Sequence, residues 1–172
     1  VDFVSVPGEL VMDLCGDMVT EDLGRILASV SGGDPSLMKS LVEDDEVNEY
    51  VRSAALTGML SLVVAGDMSR RELVDYLRQA FHTEDLREEP LVSSTLVITA
   101  LRLHARELHE QIKEARAVDE DEFEPVSLDY VERTLSQDRR KVLKATREDS
   151  HYQLVEDVVS EMAWWVCFEG DR

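Results

Sequence analysis

The stretch Val51-Arg52-Ser53-Ala54-Ala55-Leu56-Thr57-Gly58-Met59-Leu60-Ser61-Leu62-Val63 decides the fold of this 172-residue chain. Its apolar and small residues recur at steps of three and four, the spacing that lines one face of an α-helix. Three of them, Ala54, Ala55 and Gly58, are small enough to let a neighbouring backbone come close. The stretch therefore predicts a helix that packs tightly against another helix and ends at Gly66.

Helical spacing continues along almost the whole chain. Leu23 to Val30 predicts a helix that ends at Gly32-Gly33, and Ser69 to Glu72 forms a capping box that opens another. Pro90 starts a helix through His104 that is apolar nearly all round, which predicts a central, buried element. Its β-branched residues leave a strand as the alternative. About nine helices joined by short turns follow, so sequential helices should be antiparallel neighbours.

The C-terminal third of the chain predicts two further features, an acidic loop and a terminal helix. The acidic run 119–125, Asp-Glu-Asp-Glu-Phe-Glu-Pro, is a candidate loop between helices. A terminal helix is predicted from Leu154 to Val166, with its apolar residues turned inward. The whole of 1–172 is then expected to form a single helical-repeat domain.

One segment of about 40 residues suggests which kind of repeat this is. Residues 34–66 comprise a short helix, an acidic turn and the sequence Val-Arg-x-Ala-Ala-Leu, which resembles the inner helix of a HEAT repeat. The resemblance implies a structural ion pair between Arg52 and an acid of the turn, Asp44 or Asp45. The segment 69–104 matches a second unit in length and polarity. We therefore expect an all-α, right-handed α-solenoid of HEAT-like antiparallel helix pairs.

The net charge of the chain limits the classes of macromolecule that it could bind. Lys and Arg number 18 against 37 Asp and Glu, so the formal charge is −19, a field that repels nucleic acid and anionic membranes and admits a basic protein partner. The two cysteines, Cys15 and Cys167, lie far apart in apolar stretches, which predicts free thiols in a reducing compartment. No secretion signal or membrane span is visible, so we expect a cytoplasmic protein.

Four further segments are distinctive: Pro7 to Leu10, Arg25 to Val30, Asn48 to Leu56 and Glu161 to Phe168. Through them the chain resembles an uncharacterised bacterial family, a domain of unknown function, over nearly its whole length. This resemblance implies a bacterial origin and a HEAT-like helical fold but no established chemistry. Some relatives continue past Trp164-Trp165 into a cysteine-rich zinc-binding tail, which these 172 residues do not include.

No motif for catalysis, nucleotide binding or a cofactor is found in the sequence, and no metal-ligand spacing either. His104 and His109 are five residues apart, so on a helix they point about 140° away from each other, a poor pair for one metal ion. We therefore assign no catalytic residue, no metal ligand and no cofactor.

Two groups are candidates for binding. Trp164 and Trp165 either close the end of the helical array or anchor a partner, since tryptophan is common at interface hot spots. Arg102 and Arg106 are predicted to share a helix face at i, i+4, near His104 and His109, where they either hold an anionic group or pair with Glu107 and Glu110. The sequence thus favours a non-enzymatic interaction scaffold. The alternative is an enzyme or small-ligand protein with a pocket between helices.

Overall fold

A computed structural model describes residues 20–117 and 126–159 of the chain. These residues form nine α-helices, two short 3₁₀-helices and no strand, which confirms the all-α prediction for this part of the chain. The helices are α1 (Leu23–Val30), α2 (Ser36–Glu43), α3 (Glu49–Ala65), α4 (Arg70–Ala80), α5 (Glu84–Glu88), α6 (Pro90–Arg102), α7 (His109–Ala117), α8 (Leu128–Ser136) and α9 (Arg139–Glu148); the 3₁₀-helices are Arg106–Leu108 and Ser150–Tyr152.

Helix α3 is the central element of the fold. Asn48 caps its start by accepting the Tyr50 N–H, and Gly66, with φ 92°, ends it in the left-handed conformation. Buried residues lie on nearly all its sides, including the polar Arg52, Ser53 and Ser61. It packs against α1, α2 and α6. The sequence stretch that decided the fold is therefore the core of the structure.

The small residues of α3 receive helix α1. A side-chain carbon added at Gly24 would lie 2.8 Å from the Ala54 carbonyl oxygen, and one added at Gly58 would lie 2.8 Å from the Gly24 carbonyl oxygen. The two backbones therefore touch where Gly24 and Gly58 cross. This contact confirms the predicted close approach of a second helix.

The predicted boundaries of the neighbouring helices are also found. Gly32 and Gly33 both have positive φ after α1, and the Ser69 side chain accepts the Glu72 N–H at 3.1 Å at the start of α4. Residues 90–102 are helical, so the strand alternative for this segment was wrong. Leu96 and Val97 on α6 are buried against the rest of the core.

The segment after α9 returns to the beginning of the fold. Tyr152 is buried, the Arg25 Nε donates to the Gln153 carbonyl at 2.8 Å, and the Ser29 hydroxyl accepts the Val155 N–H at 2.8 Å. Each bond joins helix α1 to a residue more than 120 positions further along the chain. The C-terminal part of the described chain thereby covers α1 and α3.

The predicted terminal helix differs from the structure. Leu154 to Asp157 are not helical, and the Val155 N–H donates to the Ser29 hydroxyl on α1 instead of to a carbonyl of its own segment. Val158 and Val159 are 59% and 78% exposed, whereas the prediction turned them inward. The remainder of that predicted helix and the acidic run 119–125 lie outside the described residues. Val126, which follows the run, is described.

No helix in the described ranges has the length and apolar character needed to cross a membrane.

Candidate functional site

The turn between α6 and α7 gathers the polar residues that the sequence singled out. Helix α6 ends with the Ala105 N–H bonded to the Ala100 carbonyl and the His104 N–H bonded to the Leu101 carbonyl, both at 2.9 Å. This pair of bonds is a Schellman ending, whose left-handed position usually holds glycine. Here it holds His104, at φ 49°. The predicted helix through His104 thus stops two residues earlier, at Arg102.

Arg70, from the start of α4, holds this turn from one side. Its guanidinium donates to the Leu103 and His104 carbonyls at 2.8 and 3.0 Å and to both oxygens of the Glu107 carboxylate at 2.7 and 3.2 Å. The bonds from Arg70 lower the pKa of the Glu107 carboxyl, although partial burial opposes them. No local sequence pattern indicates this role of Arg70, since its partners are up to 37 residues away.

His104 and Arg106 hold the end of α8 from the other side. The His104 Nε2 lies 3.1 Å from the Gln137 carbonyl, so this nitrogen carries the proton and donates. Arg106 donates to the Leu135 and Gln137 carbonyls at 2.6 and 3.1 Å. The His104 ring is buried, and its Nδ1 has no hydrogen-bond partner among the described residues.

Arg102 turns toward the segment after α9. Its guanidinium lies 3.5 Å from the Asp149 carboxylate and stacks over the Tyr152 ring at 5.2 Å. The pairing of Arg102 and Arg106 with Glu107 and Glu110 that the sequence suggested is not found among these contacts. Glu107 is bound by Arg70, and Glu110 lies beside His109 at 3.3 Å. The prediction that Arg102 and Arg106 share a helix face is wrong, because α6 ends at Arg102. Arg102 instead contacts the segment after α9, whereas His104 and Arg106 contact the end of α8.

A groove opens between α6, α8 and α9 next to this cluster. Its volume is about 310 Å³, and the apolar part of its walls comes from Ile98 and Leu101 on α6, Tyr130 on α8 and Val142 on α9. Arg102 and Lys141 lie among the lining residues. Tyr130 is 44% exposed, a large fraction for an aromatic side chain bordering a groove.

Helix α9 gives this face a charge opposite to that of the whole chain. Its ten residues carry five cations and one acid, a local charge of 5 − 1 = +4 within a chain of −19. Only Val142 and Thr146 of the helix are buried. The sequence holds the signal that would have revealed this face, namely five basic residues in ten: Arg139, Arg140, Lys141, Lys144 and Arg147.

Arg52 is buried as a structural residue would be, but its partner is not an acid of the turn. Its Nε donates to the Val42 carbonyl at 3.1 Å, and its Nη2 has no hydrogen-bond partner. Asp44 and Asp45 are exposed, and Asp44 accepts the Glu46 N–H within its own turn. The proposed ion pair is therefore wrong in its partner, because the end of α2 presents a carbonyl to Arg52 before the acidic turn begins.

The other candidates lie elsewhere. Trp164, Trp165, Cys15 and Cys167 fall outside the described residues, so the partner-anchor role of the tryptophans stays a prediction. Within 20–117 and 126–159, no three histidine, cysteine or acidic side chains are grouped so that they could hold a metal ion.

Fold and site together define the class: an all-α protein of layered helices with one strongly basic helix beside an apolar groove. The chain belongs to the family described as "Protein of unknown function (DUF1186)", which it matches over residues 1–169. This membership agrees with the resemblance to a bacterial domain of unknown function.

Two relatives are uncharacterised chlamydial proteins. The chain is 28% identical over 158 residues to one from Chlamydia trachomatis serovar D and 29% identical over 158 residues to one from Chlamydia muridarum. Each match covers 89% of this chain and 60% and 61% of the relative, so the chain spans about three fifths of their length. No solved structure matches the chain.

Proposed function

We propose that this chain is a non-enzymatic protein-interaction module built from HEAT-like helix pairs. The contacts between helices support the repeat: α2 packs against α3, α4 contacts both α3 and α6, and α3 packs between α1 and α6. The pair α2–α3 falls within the predicted unit 34–66. Stacked helix pairs of this kind usually act by binding other proteins.

The observation that carries the proposal is the apolar groove beside a basic helix. An exposed aromatic such as Tyr130 at a groove mouth is a typical anchor point for a partner. The five cations of α9 would repel a basic segment and attract an acidic one. We therefore propose that the occupant is a segment of a partner protein with an apolar anchor and acidic flanks, in place of the basic partner expected from the net charge.

The proposal also includes a cytoplasmic location in a bacterium. The relatives are bacterial, and the two cysteines far apart in apolar sequence suit a reducing compartment. The chain spans about three fifths of the length of its relatives. A binding role for those longer proteins is therefore also a proposal.

Site-specific photocrosslinking tests the groove. A benzophenone amino acid placed at position 130 should capture a partner in a lysate of the source bacterium. The same residue at position 30 is the matched control, because Val30 is 73% exposed on α1, an element that does not line the groove. The captured protein is then identified by mass spectrometry and purified.

Reconstitution decides the outcome. The purified partner should bind the wild-type chain, and Tyr130→Ala combined with Lys141→Gln should weaken binding by about tenfold or more, as expected for an interface hot spot. Val30→Ala should leave binding unchanged. Identical capture at positions 130 and 30, or purified candidates that bind both variants equally, would refute the proposal.

A further inference from the structure

A second cavity lies on α9, on the side that meets α3 and α4. Its volume is about 200 Å³, and its apolar part comes from Leu60 and Val63 on α3 and from Leu103 and Leu143. Four arginines complete the lining: Arg70, Arg102, Arg139 and Arg147. They come from three different helices, so the tertiary fold assembles the cluster, and no short sequence motif predicts it.

The charges around this cavity do not balance. Arg70 is neutralised by Glu107, and Arg102 lies 3.5 Å from Asp149. Among the residues that the structure describes, no carboxylate is in ion-pair contact with Arg139 or Arg147. Among the four lining arginines and the acids in ion-pair contact with them, four cations against two acids leave 4 − 2 = +2, in a chain whose net charge is −19.

Two of the arginines are held in place before any ligand arrives. Arg70 donates to two carbonyls and a carboxylate, and Arg102 stacks on Tyr152. Arg139 lies near enough to Glu107 to help lower the pKa of that carboxyl. Since like charges repel each other in a cavity with apolar walls, an arriving anion would relieve the repulsion.

We propose that this cavity binds a small molecule with a phosphate-type dianionic group and a small apolar portion. Two negative charges match the surplus of two positive charges. The forked guanidinium groups of Arg139 and Arg147, which have no ion-pair partner among the described residues, are suited to phosphate oxygens, which such a group can bind with two parallel hydrogen bonds. The apolar walls then receive the non-polar part of the ligand, and a volume of about 200 Å³ limits that part to about one ring.

The proposed ligand site is independent of the partner groove. The two cavities share Arg102 and Thr146, but only the smaller one is lined by α3 and by Arg70, Arg139 and Arg147. Loss of ligand binding would therefore leave the partner proposal standing, and the reverse also holds.

Isothermal titration calorimetry with phenyl phosphate at low ionic strength tests the site. We expect saturable one-to-one binding with a dissociation constant on the order of 1 mM or tighter. Benzoate has the same ring but a single charge, so it should bind at least about tenfold more weakly.

A charge-matched pair of variants separates the cavity from the general field of α9. Arg139→Gln with Arg147→Gln should weaken phenyl phosphate binding by about tenfold or more, because both side chains line the cavity. Arg140→Gln with Lys144→Gln removes the same two charges from the same helix outside the cavity and should change binding by less than about twofold. Melting curves verify that both variants fold. Absence of saturable binding, equal binding of benzoate, or equal losses in the two variants would overturn the proposal.

Discussion

At the scale of single residues, Arg52 and His104 are polar groups enclosed in the core with one nitrogen each left without a partner. Burial without a hydrogen bond is costly, so the bonds that these side chains do make must hold them in place. For Arg52 that bond goes to the Val42 carbonyl, and for His104 to the Gln137 carbonyl. In both cases the side chain joins two helices through a backbone carbonyl of a helix end.

Replacing Arg52 with alanine should lower the free energy of unfolding by about 1–3 kcal/mol, since the Val42 carbonyl would lose its partner inside the core. Chemical denaturation measures the change. Arg71→Ala is the control, because Arg71 is 92% exposed, and should change stability by less than about 0.5 kcal/mol. Asp45→Ala should be equally harmless. A loss with Asp45→Ala as large as that with Arg52→Ala would restore the ion pair expected from the HEAT resemblance.

At the scale of helices, α3 makes two contacts of different kinds: one is a close approach of two backbones, and the other is a pair of carboxyl groups. Helix α1 crosses α3 at Gly24 and Gly58, with no room for a side chain at either residue. At the N-terminal end of α3, Glu49 meets Glu89, which precedes α6. The first contact brings two backbones together, whereas the second places two carboxyl groups side by side.

Gly24→Ala should lower the free energy of unfolding by about 1–3 kcal/mol, although alanine favours a helix more than glycine does. The added carbon would lie 2.8 Å from the Ala54 carbonyl oxygen, a backbone atom that cannot move without shifting α3. Ser40→Ala on the exposed side of α2 is the control and should change stability by less than about 0.5 kcal/mol. If Gly24→Ala were neutral in urea denaturation, the close crossing of α1 and α3 would be disproved.

The Glu49–Glu89 pair should make stability depend on pH. The hydrogen bond with Glu89, partial burial and the charge of Glu89 raise the pKa of Glu49 from its ordinary 4.5 to about 7. Because the native state binds the proton more tightly than the unfolded state, this contribution is complete below pH 4.5 and is lost as the pH rises through 7. Both side chains are partly exposed, so it amounts to less than about 1 kcal/mol.

Glu89→Gln should therefore raise the melting temperature relative to wild type at pH 8 and leave it nearly unchanged at pH 4.5, since the amide keeps a hydrogen bond without the repulsion. Glu88→Gln removes the same charge from the exposed neighbouring residue and serves as the control. Melting curves over this pH range decide the matter. Parallel pH profiles for the two variants would show that the carboxyl pair does not act as described.

At the scale of the whole molecule, charge is unevenly distributed. The chain carries −19, yet α9 carries +4 and faces both the groove and the four-arginine cavity. The self-repulsion of the remaining acids opposes the compact state. The C-terminal segment packs back onto α1 and α3 through hydrogen bonds to uncharged acceptors. Arg25 donates to the Gln153 carbonyl, and the Val155 N–H donates to the Ser29 hydroxyl.

Added salt should stabilise the chain. Raising NaCl from 0.01 to 0.1 M shortens the screening distance from about 30 to about 10 Å, which weakens repulsion between acids more than contacts at hydrogen-bond distance. We expect the melting temperature to rise by a few degrees, since about 1 kcal/mol corresponds to roughly 2–4 °C in a protein of this size. Tetramethylammonium chloride should act equally if screening is the cause. A falling melting temperature would mean that ion pairs, not repulsion, dominate the electrostatic free energy.

The sequence by itself determined most of the helices and several of their ends. Periodic apolar residues, capping side chains such as Ser69 and glycines such as Gly66 act within a few neighbouring residues, so their effect is visible in the chain order. Even the close approach at Gly58 followed from residue size. The proximity of Arg102, His104 and Arg106 was also visible, because they lie on one short segment.

Only the tertiary structure decided which groups meet. Arg52 bonds a carbonyl rather than Asp44 or Asp45, Arg70 reaches residues 37 positions away, and Leu154 to Asp157 lie along α1 instead of forming a helix. A hydrogen bond forms with whichever acceptor the folded backbone brings within about 3 Å, and local spacing carries no information about acceptors on distant helices. The arginine cavity on α9 arises in the same way, since its four guanidinium groups come from three helices that meet only in the folded chain.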